Sequence, residues 1–193
     1  MTYPVTYEID SPLEIARWRP LVQWIMAIPH FFAAYFVAIV AQVVAVIAWF
    51  AIVFTGKMPE GMANILAMSL RYSARVSAYA GFLYSDYPPF TFDAQTEDPG
   101  GSPVVTSFEA ALTDRNRLTV FFRLIMAIPI MIFTGIIFFV AELAYIGAFF
   151  AILFTGKWPQ GIRDFVVKAF RLSQRTNAYV MLLTDEYPPF SLE

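Results

Sequence analysis

Two long apolar runs dominate the chain. Leu21 to Phe54 carries no formal charge, with only Gln23, His30 and Gln42 strongly polar, and Leu124 to Phe154 carries one charge, Glu142. Each run is long enough to cross the ~30 Å hydrocarbon core of a bilayer. Pro29 and Pro129 fall near the starts of the runs. Proline suits the first turn of a helix, where its missing N–H costs nothing. The spacing predicts a first long helix from Pro29 to Phe54, about 39 Å at 1.5 Å per residue, enough to tilt or protrude. Thr55-Gly56-Lys57-Met58-Pro59 and Thr155-Gly156-Lys157-Trp158-Pro159 follow as punctuation. Glycine takes the left-handed position past a helix end, lysine meets the negative end of the dipole, and proline opens the next helix.

The pattern then changes. Pro59 to about Tyr84, and Pro159 to Thr184, read as helices with a polar face. In the second, Asp164, Lys168, Arg171 and Arg175 form one stripe at helical spacing, with Ile162, Phe165, Val166, Phe170 and Val180 on other faces. That many charges make a span costly, so these helices are expected to lie in the interface with the stripe towards headgroups. The first copy, with Arg71 and Arg75 as its cations, sits deeper. Ahead of each long run, Arg17, Trp18, Arg19 and Trp24, and Arg115, Arg117, Phe121, Phe122 and Arg123, have the composition of a bilayer interface. Earlier still, Val5-Thr6-Tyr7-Glu8-Ile9 and Val104-Val105-Thr106-Ser107-Phe108 favour short strands that pair across the two halves. Ser11-Pro12 and Thr113-Asp114 follow as expected helix starts.

Every feature therefore occurs twice, 100 residues apart and without insertion. Ile25-Met26-Ala27-Ile28-Pro29 returns as Ile125-Met126-Ala127-Ile128-Pro129, and Tyr87-Pro88-Pro89-Phe90 as Tyr187-Pro188-Pro189-Phe190. A fixed period means one structural unit used twice. Residues 1–93 form the first unit, 94–103 an acidic Gly/Pro linker, and 104–193 the second unit. The expected fold is an all-α membrane protein of two tandem pseudo-symmetric units. Each has a long transmembrane helix and an amphipathic interfacial helix, with short strands at its start.

Composition narrows the function. Of 193 residues, 59% are hydrophobic and only 15% charged, against about a quarter charged in soluble domains. A net charge of −2 gives no case for nucleic acid. The absence of cysteine excludes disulfides, thiolate metal sites and thiol catalysis. No metal or other cofactor is indicated: His30 is the sole histidine, its counterpart is Ile130, and a histidine metal site needs partners. Met1 to Glu8 lacks the basic and apolar regions of a signal peptide, so the first transmembrane segment is expected to act as the insertion signal.

Two sets of residues stand out. Glu142 is an ionisable group within an apolar run, and Gln42 is polar at the matching depth. Facing each other, they would serve as hydrogen-bonded glue between spans, or as a proton or cation site. Arg71, Arg75 and Tyr79, repeated as Arg171, Arg175 and Tyr179, lie one turn apart. With Lys168, they are candidates to grip an anionic lipid headgroup. The competing reading pairs these arginines with Asp86 and Glu186. A phosphate-binding loop at Thr-Gly-Lys fails, because no glycine-rich cradle or strand leads into it. The Tyr-Pro-Pro-Phe ends stop each unit in an extended exit.

Arg17, Ile28-Pro29-His30, Trp49 to Gly61 with its Phe-Thr-Gly-x-x-Pro-x-Gly signature, Arg71, Ala78-Tyr79 and Tyr87-Pro88-Pro89-Phe90 together resemble a bacterial membrane protein family of unknown function. Its members carry this unit once or twice. The resemblance implies a membrane location and a two-unit architecture, and brings no reaction or substrate. The second unit departs from it with Ile130 in place of His30.

Single crossings of each run would divide the thirteen Lys and Arg almost evenly. Arg17, Arg19, Lys157, Arg163, Lys168, Arg171 and Arg175 fall on the side of the termini; Lys57, Arg71, Arg75, Arg115, Arg117 and Arg123 fall opposite. Hairpin runs would put all thirteen on one face, and four spans would bury the arginines. Single crossings in a multi-pass inner-membrane protein are the expectation. The expected role is a non-catalytic scaffold or accessory subunit, in contact with membrane lipids and with a larger membrane complex or another copy. Ala33, Ala34, Ala38, Ala41, Ala45 and Ala48 would allow close helix contact. The alternative is a small transporter or channel subunit using Glu142 and Gln42.

Overall fold

The computed structural model describes residues 3–192. Met1 and Thr2, where the insertion-signal reading begins, and Glu193, where the second unit ends, lie outside the described residues. In chain order the elements are β1 (Val5–Ile9), α1 (Arg19–Met26), α2 (Ile28–Thr55), α3 (Glu60–Ala80), β2 (Val104–Phe108), α4 (Arg117–Phe121), α5 (Arg123–Thr155) and α6 (Gln160–Val180).

The two strands pair antiparallel, with Val5 opposite Phe108 and Ile9 opposite Val104. One strand comes from each unit, so the ribbon crosses the boundary between units. Its alternation is regular: Val5 and Tyr7 are buried while Thr6 and Glu8 are exposed. The ribbon packs on α3 and α6, β1 against α6 and β2 against α3, and therefore each strand rests on the other unit's helix. α3 and α6 meet, and α2 packs on α3 and α5 on α6. An antiparallel ladder has a local twofold through its middle.

The helix ends follow from local chemistry. Gly56 and Gly156 adopt φ of 72° and 74°, and their N–H groups close on the carbonyls of Ile52 and Ile152 at 2.7 Å. Pro29 stands in the first turn of α2, as expected. In the second unit the helix runs through Pro129 instead. There the Met126 N–H bonds the Phe122 carbonyl at 2.9 Å, so the ladder is already established before the proline. Neither long run contains a hairpin turn.

The helix starts expected at Ser11-Pro12 and Thr113-Asp114 are not there. Ser11 Oγ instead donates to the Leu83 carbonyl at 2.6 Å, and Asp114 takes a left-handed φ of 54°. α4 starts later, where the Asn116 side chain accepts from the N–H groups of Leu118 and Thr119. α1 starts with Pro20 in its first turn.

Burial divides each long helix lengthwise. In α2, His30, Ala41, Ala48 and Ile52 are buried, while Phe32, Tyr35, Phe36, Val43, Val46 and Phe54 are exposed. In α5, Ile130, Thr134, Ala141, Ala148 and Ile152 are buried, and Ile132, Ile136, Phe139, Leu143 and Phe154 are exposed. Ala41 and Ala48 meet Ala63, Leu66 and Ala67 of α3. Small residues thus serve the contact between α2 and its own unit's α3, and the large aromatic and branched residues face outwards.

Candidate functional site

α3 is nearly enclosed, and its two arginines point inwards. Arg71 donates through Nε to the Thr106 carbonyl at 3.1 Å and through Nη2 to the carbonyls of Gln95 and Glu97 at 2.6 and 2.7 Å. Arg75 Nη2 lies 2.6 Å from Asp98 Oδ1. The second carboxylate oxygen of Asp98 accepts from the Thr106 N–H at 2.7 Å. The Asp98 side chain is only 4% exposed. Burial pulls the Arg71 guanidinium down from its ordinary value, and Asp98 pushes it back up. The acidic linker is therefore not a free tether: two arginines and one aspartate fasten it to α3 and to β2.

This corrects the reading of Arg71 and Arg75 as outward-facing headgroup ligands, and it replaces Asp86 with Asp98 as their partner. Desolvating two guanidiniums requires compensating acceptors, and the linker carbonyls supply them. Tyr79 and Tyr179 are likewise buried rather than at headgroup level. Tyr79 packs edge-on to Tyr84 and Tyr87, and Tyr179 lies under Arg123, whose Cζ is 4.1 Å from the ring centroid. Arg171 and Arg175 are half-buried. Arg171 Nε donates to the Tyr7 carbonyl at 3.2 Å, and the Arg175 guanidinium lies 5.6 Å from the ring centre of Tyr3. Of this group, Lys168 is the residue that projects to the exterior.

The second unit carries a charged node that the sequence did not announce. Arg115 Nη2 lies 2.7 Å from Asp185 Oδ1, and Arg123 Nη2 binds the same oxygen. Asp185 Oδ2 accepts from the Asn116 N–H, and Arg123 also donates to the Thr184 carbonyl at 2.8 Å. Partial burial pushes the Asp185 carboxyl up, yet Arg115, the Asn116 N–H and Arg123 hold it below the ordinary value. The matching positions of the first unit are Ile15, Gln23 and Ser85. There the Gln23 side chain donates to the carbonyls of Tyr79 and Tyr84, each at 2.7 Å. Three simultaneous differences between matched positions were the signal in the sequence.

His30 is fully buried, with Nδ1 2.7 Å from the Tyr72 hydroxyl. The Tyr-Pro-Pro-Phe arm folds over it: Phe90 stacks on the imidazole at 3.9 Å, and Tyr87 packs at 4.7 Å. Burial raises the Tyr72 hydroxyl to about 12. His30 is a packed aromatic element at the start of α2. Among the described residues no cluster of three or more His, Cys, Asp or Glu is placed to hold a metal.

Glu142 and Gln42 do not face each other. Each lines its own groove. Glu142 shares a groove of about 640 Å³ with Ser77, Gly81, Phe82, Tyr145 and Phe149; Gln42 shares one of about 610 Å³ with Ala45, Trp49, Arg123, Met181 and Leu182. The physical reason is the packing: α2 rests chiefly on α3 and α5 chiefly on α6, so the two residues border different helices. In the first groove a Cβ at Gly81 would overlap the Tyr145 hydroxyl and ring. In the second groove the same two positions are Met181 and Ala45.

The Domain of unknown function DUF4389 matches residues 17–91 and again residues 117–191. The chain belongs to the DUF4389 family. Both matches begin after the strands and stop at the Tyr-Pro-Pro-Phe arms, so each DUF4389 unit comprises two consecutive helices on the way in, the returning helix and the closing arm. β1 and β2 stand outside the matched units. No curated protein and no solved structure matched the chain.

Proposed function

We propose that the chain is a non-catalytic integral membrane scaffold or accessory subunit. Its apolar helix faces are set against lipid and a larger membrane complex or another copy, and its exposed cations contact anionic headgroups. The observation that carries this reading is how the side chains are used. Arg71, Arg75, Arg115, Arg123 and Asp185 all engage partners inside the fold, whereas the outer faces of α2 and α5 present large apolar side chains, with Gln42 and Glu142 as the exposed polar groups on their flanks. Both helices are long and apolar enough to cross a membrane. The exposed cations available to headgroups are Arg17, Lys57, Arg117 and Lys168, with Lys157 paired to Glu14 at 2.9 Å on the surface. Trp18 and Trp24, each 51% exposed, with Phe121 and Phe122, supply interfacial anchors. A transport pathway through Glu142 and Gln42 has less support, because the two lie in separate grooves.

The test is purification of the tagged protein in native nanodiscs, with mass spectrometry of the bound proteins and lipids. A larger complex in stoichiometric amount, with anionic lipid, is the expected result. A chain carrying neither would sink the accessory-subunit reading. Glu142→Gln should assemble like the parent, and loss of a measurable ion flux in that variant would favour the transporter instead.

A further inference from the structure

We propose that the chain sits on one side of the bilayer, its pseudo-twofold axis along the membrane normal. In this arrangement the outer faces of α2 and α5 lie in a single leaflet and the β-ribbon lies in water. The inference rests on the membrane reading above and replaces the expectation that each long helix crosses once.

The position of the ribbon decides between the two. Tyr7 of β1 stacks on Phe170 of α6 with ring centres 6.0 Å apart, and Phe170 packs edge-on to Phe138 of α5 at 5.6 Å. Phe138 lies midway along α5. Three rings in series therefore hold the ribbon opposite the middle of α5. The other unit repeats this: Phe108 of β2 and Leu70 of α3 share one apolar cluster with Ala41 and Val44, midway along α2. If α2 and α5 stood upright, the ribbon and linker would lie at mid-bilayer depth. Glu8, next to Tyr7, is exposed, and so is Lys168, two residues from Phe170. Two exposed charges beside the centre of a span, with an open two-stranded edge, are what hydrocarbon does not tolerate.

Laid flat, the same structure has no such conflict. The ribbon rests on α6 and α3, and the linker is tied to α3 through Asp98, while Phe170 of α6 stands between Tyr7 of the ribbon and Phe138 of α5; this places the ribbon across the α3–α6 layer from α5. Those outer faces carry no charge along their central line: Ile132, Ile136, Phe139 and Leu143 in α5, and Phe32, Phe36, Ile39 and Val43 in α2. Glu142 is one residue on from buried Ala141, about 100° round the helix. It belongs to the flank at the groove, not to the outermost line. The high hydropathy of both helices then has a direct cause. Each is apolar all round because its inner face meets α3 or α6 and its outer face meets acyl chains. All thirteen Lys and Arg end on one side without any hairpin in the runs. The occupant of the apolar face is a lipid leaflet.

The absence of cysteine makes the test direct. Lys57 and Lys157 are exposed at the far ends of α2 and α5. Single crossings put them on opposite sides; one-sided seating puts them together. The double variant Lys57→Cys/Lys157→Cys is reconstituted into phosphatidylethanolamine–phosphatidylglycerol vesicles and recovered by flotation. It is treated with a membrane-impermeant maleimide, quenched, and dissolved in detergent for intact-mass counting. Molecules with two labels or none are expected, whichever way each inserted. One label on every molecule would overturn the proposal while leaving the membrane reading intact. A chain that fails to float, and remains in the aqueous fraction as a defined oligomer, would overturn both and assign the apolar faces to a second copy.

Discussion

His30 Nδ1 lies 2.7 Å from the Tyr72 hydroxyl, and the matched positions in the second unit are Ile130 and Leu172, which pack in one apolar cluster. A buried polar pair in one unit is thus an apolar pair in the other. Thr134 and Thr176 show the converse: their hydroxyls lie 2.9 Å apart, where the first unit has Ala34 and Val76. Exchange in pairs is what burial demands, since a polar group left without its partner carries the full cost of desolvation. His30→Ile alone should therefore destabilise by about 1–3 kcal/mol through the stranded Tyr72 hydroxyl. Adding Tyr72→Leu should recover most of that loss. Thermal melts of the two single variants and the double variant, in detergent, give the coupling; strict additivity would contradict the pairing.

Gly81 and Tyr145 form a pair of the same kind, in size rather than polarity. A side chain at Gly81 has no room because the Tyr145 ring occupies it. In the second unit Met181 lies beside Ala45. Gly81→Ala should cost about 1–3 kcal/mol by overpacking, and Tyr145→Ala in the same chain should relieve the clash. Met181→Gly should open the second groove instead. Melting temperatures of the set, with a fluorescent apolar probe to report groove volume, test both statements.

Much of this architecture was legible because it is local or repeated. The glycine caps at Gly56 and Gly156 need only five residues of context, and the strand pairing followed from two alternating stretches in matched places. The enclosure of Arg71 and Arg75 was not legible. Their partner Asp98 is 23 residues beyond Arg75, in a stretch whose Gly and Pro content reads as a free linker. What turns it back is the pairing of β2 with β1, a contact across about a hundred residues. Likewise, hydropathy identifies an apolar helix but does not say which apolar face meets protein. That required Ala41 and Ala48 to be seen against Ala63 and Ala67.

The linker gives a prediction with a local readout. Asp98→Asn removes the charge that balances Arg71 and Arg75 and strands two buried guanidiniums. A loss of about 3–5 kcal/mol is expected for breaking such a pair. The first sign should be local: amide exchange across 94–103, and protease cleavage there, should rise before the helices open. Equal protection of the linker in parent and variant would show that the carbonyl bonds to Arg71 suffice.

The Asp185 node sets an acid limit on stability. Its carboxyl is held below the ordinary value by Arg115, the Asn116 N–H and Arg123, against the opposing effect of burial. A carboxyl that is lower in the folded state stabilises fully above its unfolded value of 3.8. That contribution fades as pH falls from there through the lower folded value. The parent should lose melting temperature steeply across that acid window, and Asp185→Asn should be less stable at neutral pH with a flatter acid limb. Asp185→Ser combined with Arg115→Ile and Arg123→Gln rebuilds the first unit's neutral arrangement of Ile15, Gln23 and Ser85. This triple variant should regain neutral-pH stability while keeping the flat limb, because no buried charge is left to compensate. Melts of all three proteins across the range decide the point. A triple variant as acid-sensitive as the parent would place the titrating group elsewhere.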